Sequence, residues 1–369
     1  MTDAHYMKLA LKLAAKGRGY ASPNPMVGAV IVKNGKIIGR GYHQCCGENH
    51  AEVNAIQSAT EDVAGSTLYV TLEPCCHHGK TPPCTDLIIR HKIARVVIGT
   101  TDSNPLVSCQ GVSCLQSAGI EIATGVLEDE CRNLNEVFFH YMGTGLPFVT
   151  VKYAQTLDGR IATATGNSQW ISSPASLKFA HQLRAEHDAI LVGIGTVLKD
   201  NPTLTVRGVR GRNPLRVVVD SNLGTPVEAN LMQNLSQTPT LIATTKTASD
   251  PHFQKLKAAG AELITVEADE KNHVDLKQLL KMLAARNISS VLIEGGAQII
   301  TSVLQDNLVN RLVTITAPKI IGKGIEAISD LYIRDLKEAK LLSVKRVAKK
   351  GVDVIMDSRL LPPSRSSQP

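Results

Sequence analysis

The stretch Ser66–Thr100, STLYVTLEPCCHHGKTPPCTDLIIRHKIARVVIGT, decides the fold. "STLYVTLEP" and "ARVVIGT" read as strands, and "TDLIIRHK" between them as a helix. The same alternation continues outward. Upstream, "DAHYMKLALKLAAKG" has apolar residues at helical spacing and Gly17 as a stop. "MVGAVIVKNGKIIGRGYH" reads as a β-hairpin, with Asn34-Gly35 suited to a type I′ turn. "HAEVNAIQSAT" is a helix. Downstream, "GIEIATGVL" adds a strand and "ECRNLNEVFFHYMGTG" one closing helix. Strands alternating with helices make a layered α/β sheet.

A chain of 369 residues suits two domains. "GTGLP" at Gly143–Pro147 is the natural hinge, so we expect domains at 1–146 and 147–359, with a disordered tail at 360–369. The second half repeats an α/β pattern, with strands expected at "FVTVKYAQ", "DAILVG", "RVVVD", "TLIATT", "AELITV", "SVLIEGG" and "RLVTITAPK". "LLSVKRVAKKGVDVIMDSRL" reads as a final hairpin.

Composition is that of a soluble globular protein, 43% hydrophobic and 20% charged. No apolar run reaches membrane-spanning length, and the N-terminus lacks the apolar core of a signal peptide. The expectation is a cytoplasmic protein. Residues 1–146 carry 12 Lys and Arg against 13 Asp and Glu, net −1; the remainder carries 28 against 20, net +8. A basic second half fits an anionic ligand and equally fits a solvated surface bias. No basic run suggests a nucleic-acid arm.

All eight cysteines lie between Cys45 and Cys131. In a cytosolic chain, clustered Cys with nearby His suggests metal chemistry. Cys109, Cys114 and Cys131 are expected to be buried apolar fillers. His50-Ala51-Glu52 opens a helix, Pro74-Cys75 ends a strand, and Cys84 opens another helix after two prolines. His50, Cys75 and Cys84 make three ligands for Zn2+, which is the number found in catalytic zinc sites. Zinc lowers the pKa of bound water to about 7, and Glu52 is the carboxylate placed to move protons. A thiol at a helix N-terminus, as Cys84 would be, is favoured as thiolate. Zinc nucleobase deaminases carry H-x-E and a downstream P-C-x-x-C. Here the second cysteine follows Cys75 after eight intervening residues, and His78 occupies the x-x-C position as a rival ligand.

"PNPMVGAVIV", "GYH", "HAE", "TLEPCCHHGKTPPC" and "TDSNP" together resemble the deaminase domain of the bifunctional riboflavin-biosynthesis deaminase/reductases. That resemblance implies a cytidine-deaminase-like three-layer α/β/α fold. It also implies that Asn24, His43, His77 and Lys80 contact a phosphoribosylamino-pyrimidine substrate. Asn49 stands where the family commonly has Pro, Cys109 where Gly is usual, and Cys45-Cys46 is unusual.

The second half has no G-x-G-x-x-G. It offers two strand–glycine–helix turns, at Gly193/Gly195 and at Gly295-Gly296. "VKYAQTLDGRIA", "SQWISS", "LRAEHDAILVGIGTVLKDNPTLTVR", "IEGG" and "APKIIG" are similar to the reductase domain of the same family. The resemblance implies a dihydrofolate-reductase-like fold using NADPH, with Thr156 where the family often has Ser. By position, Ala154, Trp170, Thr196, Asp200, Ser221, Gly296 and Ala297 would contact NADPH. Lys152, Ser168, Arg184, Leu204, Arg207 and Glu294 would contact substrate. Lys152 and Glu294 are candidate proton donors. Members of the family commonly self-associate, which implies a homo-oligomer without nucleic acid or membrane.

Two alternatives differ in class. One is a nucleic-acid-editing zinc deaminase with an appended binding domain, opposed by the long Cys75–Cys84 spacing. The other is a non-catalytic zinc module, opposed by Glu52, an acid that a closed site does not need.

Overall fold

The structure is a computed structural model of the chain, and it describes residues 1–76, 82–102 and 110–362. The expectations for His77, His78, Lys80 and Cys109, and for the tail beyond residue 362, fall outside the described residues. The chain divides into two compact units, Met1–Leu146 and the residues from Pro147 on.

In the first unit, α1 (Asp3–Ala14) precedes the hairpin β1 (Gly28–Lys33) and β2 (Lys36–Tyr42). Then come α2 (Ala51–Gln57), β3 (Thr67–Leu72), α3 (Cys84–Arg90), β4 (Arg95–Thr100), α4 (Gln110–Ser117) and β5 (Glu121–Thr124). The sheet order is β2-β1-β3-β4-β5. β1 pairs antiparallel with β2 and β3, while β3, β4 and β5 run parallel. Asn34 and Gly35 take φ of 50° and 76°, the two left-handed residues that the hairpin turn requires.

Alternation along the strands builds two cores from one sheet. Ala29, Ile31, Leu68, Val70, Val96 and Ile98 pack with Ala51, Ala55, Ile88 and Leu115 from α2, α3 and α4. Val30, Val32, Tyr69 and Val97 face the other way, onto Tyr6, Met7 and Ala10 of α1. That is the three-layer α/β/α arrangement. Cys131 fills this second core, whereas Cys114 is only half-buried, contrary to expectation. The strand expected to end at Pro74-Cys75 stops at Leu72. The single closing helix is two, α5 (Glu128–Leu134) and α6 (Glu136–Thr144). The physical reason is the buried Asn135, whose amide accepts from the Met26 N–H (2.8 Å) and donates to its carbonyl (2.9 Å).

Gly41 on β2 lets α2 lie directly on the strand. A Cβ there would meet backbone atoms of Ala51 and Ala55. Backbone cannot swing aside as a side chain can, so Gly41→Ala is expected to lower unfolding stability by about 1–3 kcal/mol. Gly143→Ala, at a position with open space, is the neutral control. Urea unfolding of both variants checks this, and equal midpoints would refute it.

The second unit has β6 (Phe148–Thr156), β7 (Arg160–Thr163), α7 (Pro174–Glu186), β8 (Ala189–Gly193), α8 (Ile194–Asp200) and β9 (Leu215–Val219). It continues with β10 (Thr240–Thr244), α9 (Pro251–Ala258), β11 (Glu262–Thr265), α10 (Leu276–Ala284), β12 (Ser290–Ile293) and α11 (Ala297–Gln305). β13 (Arg311–Ala317), β14 (Gly324–Glu326) and the hairpin β15 (Leu342–Lys350) with β16 (Asp353–Leu360) complete it. Nine strands form one sheet in the order β11-β10-β9-β8-β12-β6-β13-β16-β15. It is parallel from β11 to β13, then antiparallel through the final hairpin. Buried runs such as Ile190–Val192, Val217–Val219 and Val291–Ile293 are what a parallel sheet covered on both faces needs. The small β7–β14 sheet is absent from the sequence reading, because a three-residue strand carries almost no periodic signal.

Candidate functional site

In the first unit, His50 is the N-cap residue of α2, and Cys84 is the first residue of α3. Cys75 lies in the loop after β3, with its carbonyl accepting from the Thr85 N–H at 3.2 Å. The helix start that carries Cys84 is thereby tied to Cys75. His50 Nδ1 lies 3.3 Å from Cys84 Sγ and 3.5 Å from Cys75 Sγ. The Cys84 backbone N–H donates to Cys75 Sγ at 3.4 Å. The three ligand atoms all fall within 4.8 Å of one another.

The set fits zinc. With Zn–N near 2.0–2.1 Å and Zn–S near 2.3 Å, a tetrahedral ion holds N and S roughly 3.6 Å apart. The electrostatics agree. The Cys84 thiol donates to Cys75 and, against the opposing effect of burial and with help from His50, holds the Cys75 thiol down at about 4. Cys84, holding the proton of the pair and buried, is pushed far up. Such a pair, sharing one proton beside an imidazole, suits a divalent cation that would take both sulfurs as thiolates.

Glu52, in the first turn of α2, is 3% exposed. Burial first, and then the Cys75 thiolate, push its carboxyl up to about 7. At neutral pH it can therefore both take and give a proton. Behind His50 lies His43, 3% exposed and edge-to-face with it at 5.7 Å. His43 Nδ1 donates to the Asn49 carbonyl (3.1 Å), and Nε2 accepts from the Asn24 amide (3.2 Å). Desolvation keeps this imidazole neutral by lowering its pKa. The structure thus brings Asn24 and His43 to the cluster, with both ring nitrogens engaged inside the protein. Glu73 had no place in the sequence reading. Its carboxylate accepts the N–H of Asp102 (3.1 Å) and of Val112 (3.2 Å), fastening both segments to the strand that leads to Cys75.

In the second unit, a cavity of about 2000 Å³ opens at the ends of β8, β9 and β12. The thirteen positions singled out in this half all line it. They are Ala154, Trp170, Thr196, Asp200, Ser221, Gly296 and Ala297, read as cofactor contacts, and Lys152, Ser168, Arg184, Leu204, Arg207 and Glu294, read as substrate contacts. Both strand–glycine–helix turns reach it, β8–Gly193–α8 and β12–Gly295-Gly296–α11. Gly295 and Gly296 have φ of 105° and 76°, which side-chain-bearing residues rarely adopt. Trp170 is 64% exposed and so is no core residue. Ser221 is less free than expected, since its Oγ accepts the Val274 N–H at 3.0 Å.

Arg184 lines the cavity with its guanidinium already paired to a carboxylate. Its Nε and Nη2 donate to the two oxygens of Glu294, at 2.8 and 2.9 Å. Lys152 Nζ lies 3.7 Å from the same carboxylate. Burial alone would raise the Glu294 pKa, but the Arg184 and Lys152 charges outweigh it and hold the carboxyl at about 2. Glu294 is therefore ionised at neutral pH and acts as the counter-ion of Arg184 and Lys152. Arg207 donates to the hydroxyls of Thr203 and Thr205. His181, Asn222 and Lys271 also line the cavity and were not anticipated. His181 could have been found from its position three residues before Arg184, which puts both on one helix face.

Among the described residues no helix is long and apolar enough to cross a membrane. Residues 1–100 match the cytidine and deoxycytidylate deaminase zinc-binding region, and residues 147–353 match the RibD C-terminal domain. The riboflavin biosynthesis protein RibD of Aquifex aeolicus is 47% identical over 355 residues, covering 96% of this chain and 97% of that one. A Thermotoga maritima structure described as a diaminohydroxyphosphoribosylaminopyrimidine deaminase/5-amino-6-(5-phosphoribosylamino)uracil reductase matches with a TM-score of 0.86 and 40% identity, over 97% of this chain and 99% of that one. Acinetobacter baumannii RibD matches with a TM-score of 0.88 and 33% identity, over 98% and 99%. Correspondence along both units disfavours a nucleic-acid-editing deaminase with an appended binding domain. The chain belongs to the RibD family, the bifunctional deaminase/reductases of riboflavin biosynthesis.

Proposed function

We propose that residues 1–146 hydrolytically deaminate 2,5-diamino-6-(5-phosphoribosylamino)pyrimidin-4(3H)-one. Residues 147–359 then reduce the ribosyl side chain of the product, 5-amino-6-(5-phosphoribosylamino)uracil, to ribityl with NADPH. The observation that carries the reading is the buried Glu52 carboxyl, raised to about 7, beside the His50/Cys75/Cys84 cluster. A closed structural metal site has no use for such an acid.

His50, Cys75 and Cys84 would hold the zinc. Bound there, zinc supplies Lewis acidity that makes water nucleophilic near neutral pH. Glu52 accepts a proton as water oxygen bonds to the amino-bearing ring carbon. It returns that proton to the amino nitrogen, which leaves as ammonia when the C–N bond breaks. His43 and Asn24 keep His50 in register through the Asn49 carbonyl and the ring contact.

NADPH supplies the hydride, and protein groups position it against the substrate. Ala154, Trp170, Thr196, Asp200, Ser221, Gly296 and Ala297 are the positions read as cofactor contacts. Lys152, Ser168, Arg184, Leu204, Arg207 and Glu294 are read as the substrate side. With Glu294 held ionised, the Lys152 ammonium is the group left to deliver a proton.

The test supplies the diamino-pyrimidine phosphate to the purified chain and follows ammonia release and NADPH oxidation separately. Both are expected, with ammonia first. Trp170, the single tryptophan and exposed at the cavity, is expected to lose fluorescence when NADPH is added. Ammonia without NADPH oxidation would remove the second half of the reading, and no ammonia would remove the first.

A further inference from the structure

The cavity lining of the second unit holds several carboxylates, but three cations gather around one of them, Glu294. Arg184, Arg207 and Lys152 line it, and Glu294 is the carboxylate that pairs with two of them. The Arg207 guanidinium bonds only to hydroxyls, those of Thr203 and Thr205, among the described residues. His181, on α7, also lines the cavity and lies close enough to both arginines to feel their charge.

His181 Nδ1 lies 3.1 Å from the Thr205 carbonyl oxygen and 3.2 Å from the Arg207 backbone nitrogen. The two contacts need opposite states of one atom. The Arg207 N–H requires a lone pair on Nδ1, and the Thr205 carbonyl requires a proton there. Nε2 makes no hydrogen bond among the described residues. Burial, then Arg184 and Arg207, lower the imidazole pKa, while the Thr205 carbonyl and Glu294 partly oppose them. The ring is therefore neutral near pH 7. A phosphate placed among these cations reverses the balance, because an adjacent dianion favours the charged imidazolium.

We propose that His181 is a binding residue for a phosphate monoester in this cavity, taking up a proton from solvent as the anion binds. In the bound state Nε2 donates to a phosphate oxygen and Nδ1 donates to the Thr205 carbonyl. The Arg207 backbone N–H loses its acceptor in the same event and is left for the anion. This rests on reading the cavity as the site of a phosphoribosyl substrate, and it places that phosphate at the His181–Arg207 end.

The phosphate could belong to substrate or to cofactor, so two probes separate them. Ribose 5-phosphate stands for the substrate side, and adenosine 2′,5′-bisphosphate for the cofactor side. Calorimetry on the full chain, between pH 6.5 and 8 in two phosphate-free buffers of different ionisation enthalpy, reads affinity and proton exchange together. Wild type is expected to take up more protons on binding ribose 5-phosphate than His181→Gln does. The variant should bind that probe about tenfold more weakly, the loss of one charge-assisted hydrogen bond. The bisphosphate should bind both proteins within twofold. Equal affinity and equal proton exchange for ribose 5-phosphate in the two proteins would overturn the proposal. So would no binding of ribose 5-phosphate to wild type, or equal loss of both probes in the variant, which would mark a scaffold role. Failure to oxidise NADPH with the full substrate, while ribose 5-phosphate still binds through His181, would instead count against the reductase reading.

Discussion

Glu52→Gln is expected to lower ammonia release by about 10²–10⁴-fold while leaving the second reaction intact. The amide has nearly the shape of the carboxyl but cannot take a proton from water and return it. Burial is what makes this site sensitive, since it holds the wild-type carboxyl near 7, where both protonation states are populated at working pH. The same burial predicts the stability outcome. A carboxyl whose folded pKa is raised above its unfolded value contributes stability below the unfolded value and loses it as pH rises through the folded one. Ionised Glu52 is thus held at a cost near pH 7–8, and the neutral amide removes that cost. The variant should be at least as stable as wild type there. Zinc content should not change, because the ligand set of His50, Cys75 and Cys84 is untouched. NADPH oxidation with pre-deaminated substrate is the internal control. Retention of more than a tenth of wild-type ammonia release, with zinc bound, would remove Glu52 from the proton relay.

Much of this was legible in the sequence, for identifiable reasons. The three-layer order follows from strands whose alternate residues are all apolar, as in β1 and β3, so both sheet faces had to be covered. His50 and Cys84 were readable because each opens a helix that the local pattern marks, and Cys75 because it follows the strand β3 after a proline. Other features depend on tertiary contact and leave no local trace. Asn135 breaks a helix because of Met26, more than a hundred residues away. Arg184 reads as an unpaired cation in isolation, since nothing near it in sequence announces that Glu294 arrives from another strand end. Leu204 adopts φ of 52° and is buried, a backbone state that no propensity assigns to leucine. Its neighbours Thr203, Thr205 and Arg207 are held by side chains from α7 and β9, namely His181, Arg184 and Arg216.

The Arg184–Glu294 pair sets the second large expectation. Glu294→Gln is expected to destabilise the second unit by about 3–5 kcal/mol, because it leaves two half-buried cations, Arg184 and Lys152, facing an uncharged amide. Arg184→Met should cost a similar amount, since it strands the carboxylate with Lys152 alone at 3.7 Å. The double variant should recover a good part of either loss, because the Arg184 charge and the carboxylate then vanish together and only Lys152 remains. Urea unfolding of the four proteins gives the coupling directly. Acidity supplies an independent reading. The Glu294 folded pKa of about 2 lies below an ordinary carboxyl value, so its contribution is fully present above about pH 4.5. It is lost as pH falls toward 2, and amounts to about 3 kcal/mol at the usual conversion of pKa shift to free energy. Glu294→Gln should therefore flatten that part of the acid limb while lowering stability at pH 7. If the variant unfolds within 0.5 kcal/mol of wild type at pH 7 (~0.5 being the ordinary spread for surface substitutions), the carboxylate is not the counter-ion that holds Arg184 and Lys152 in the cavity wall.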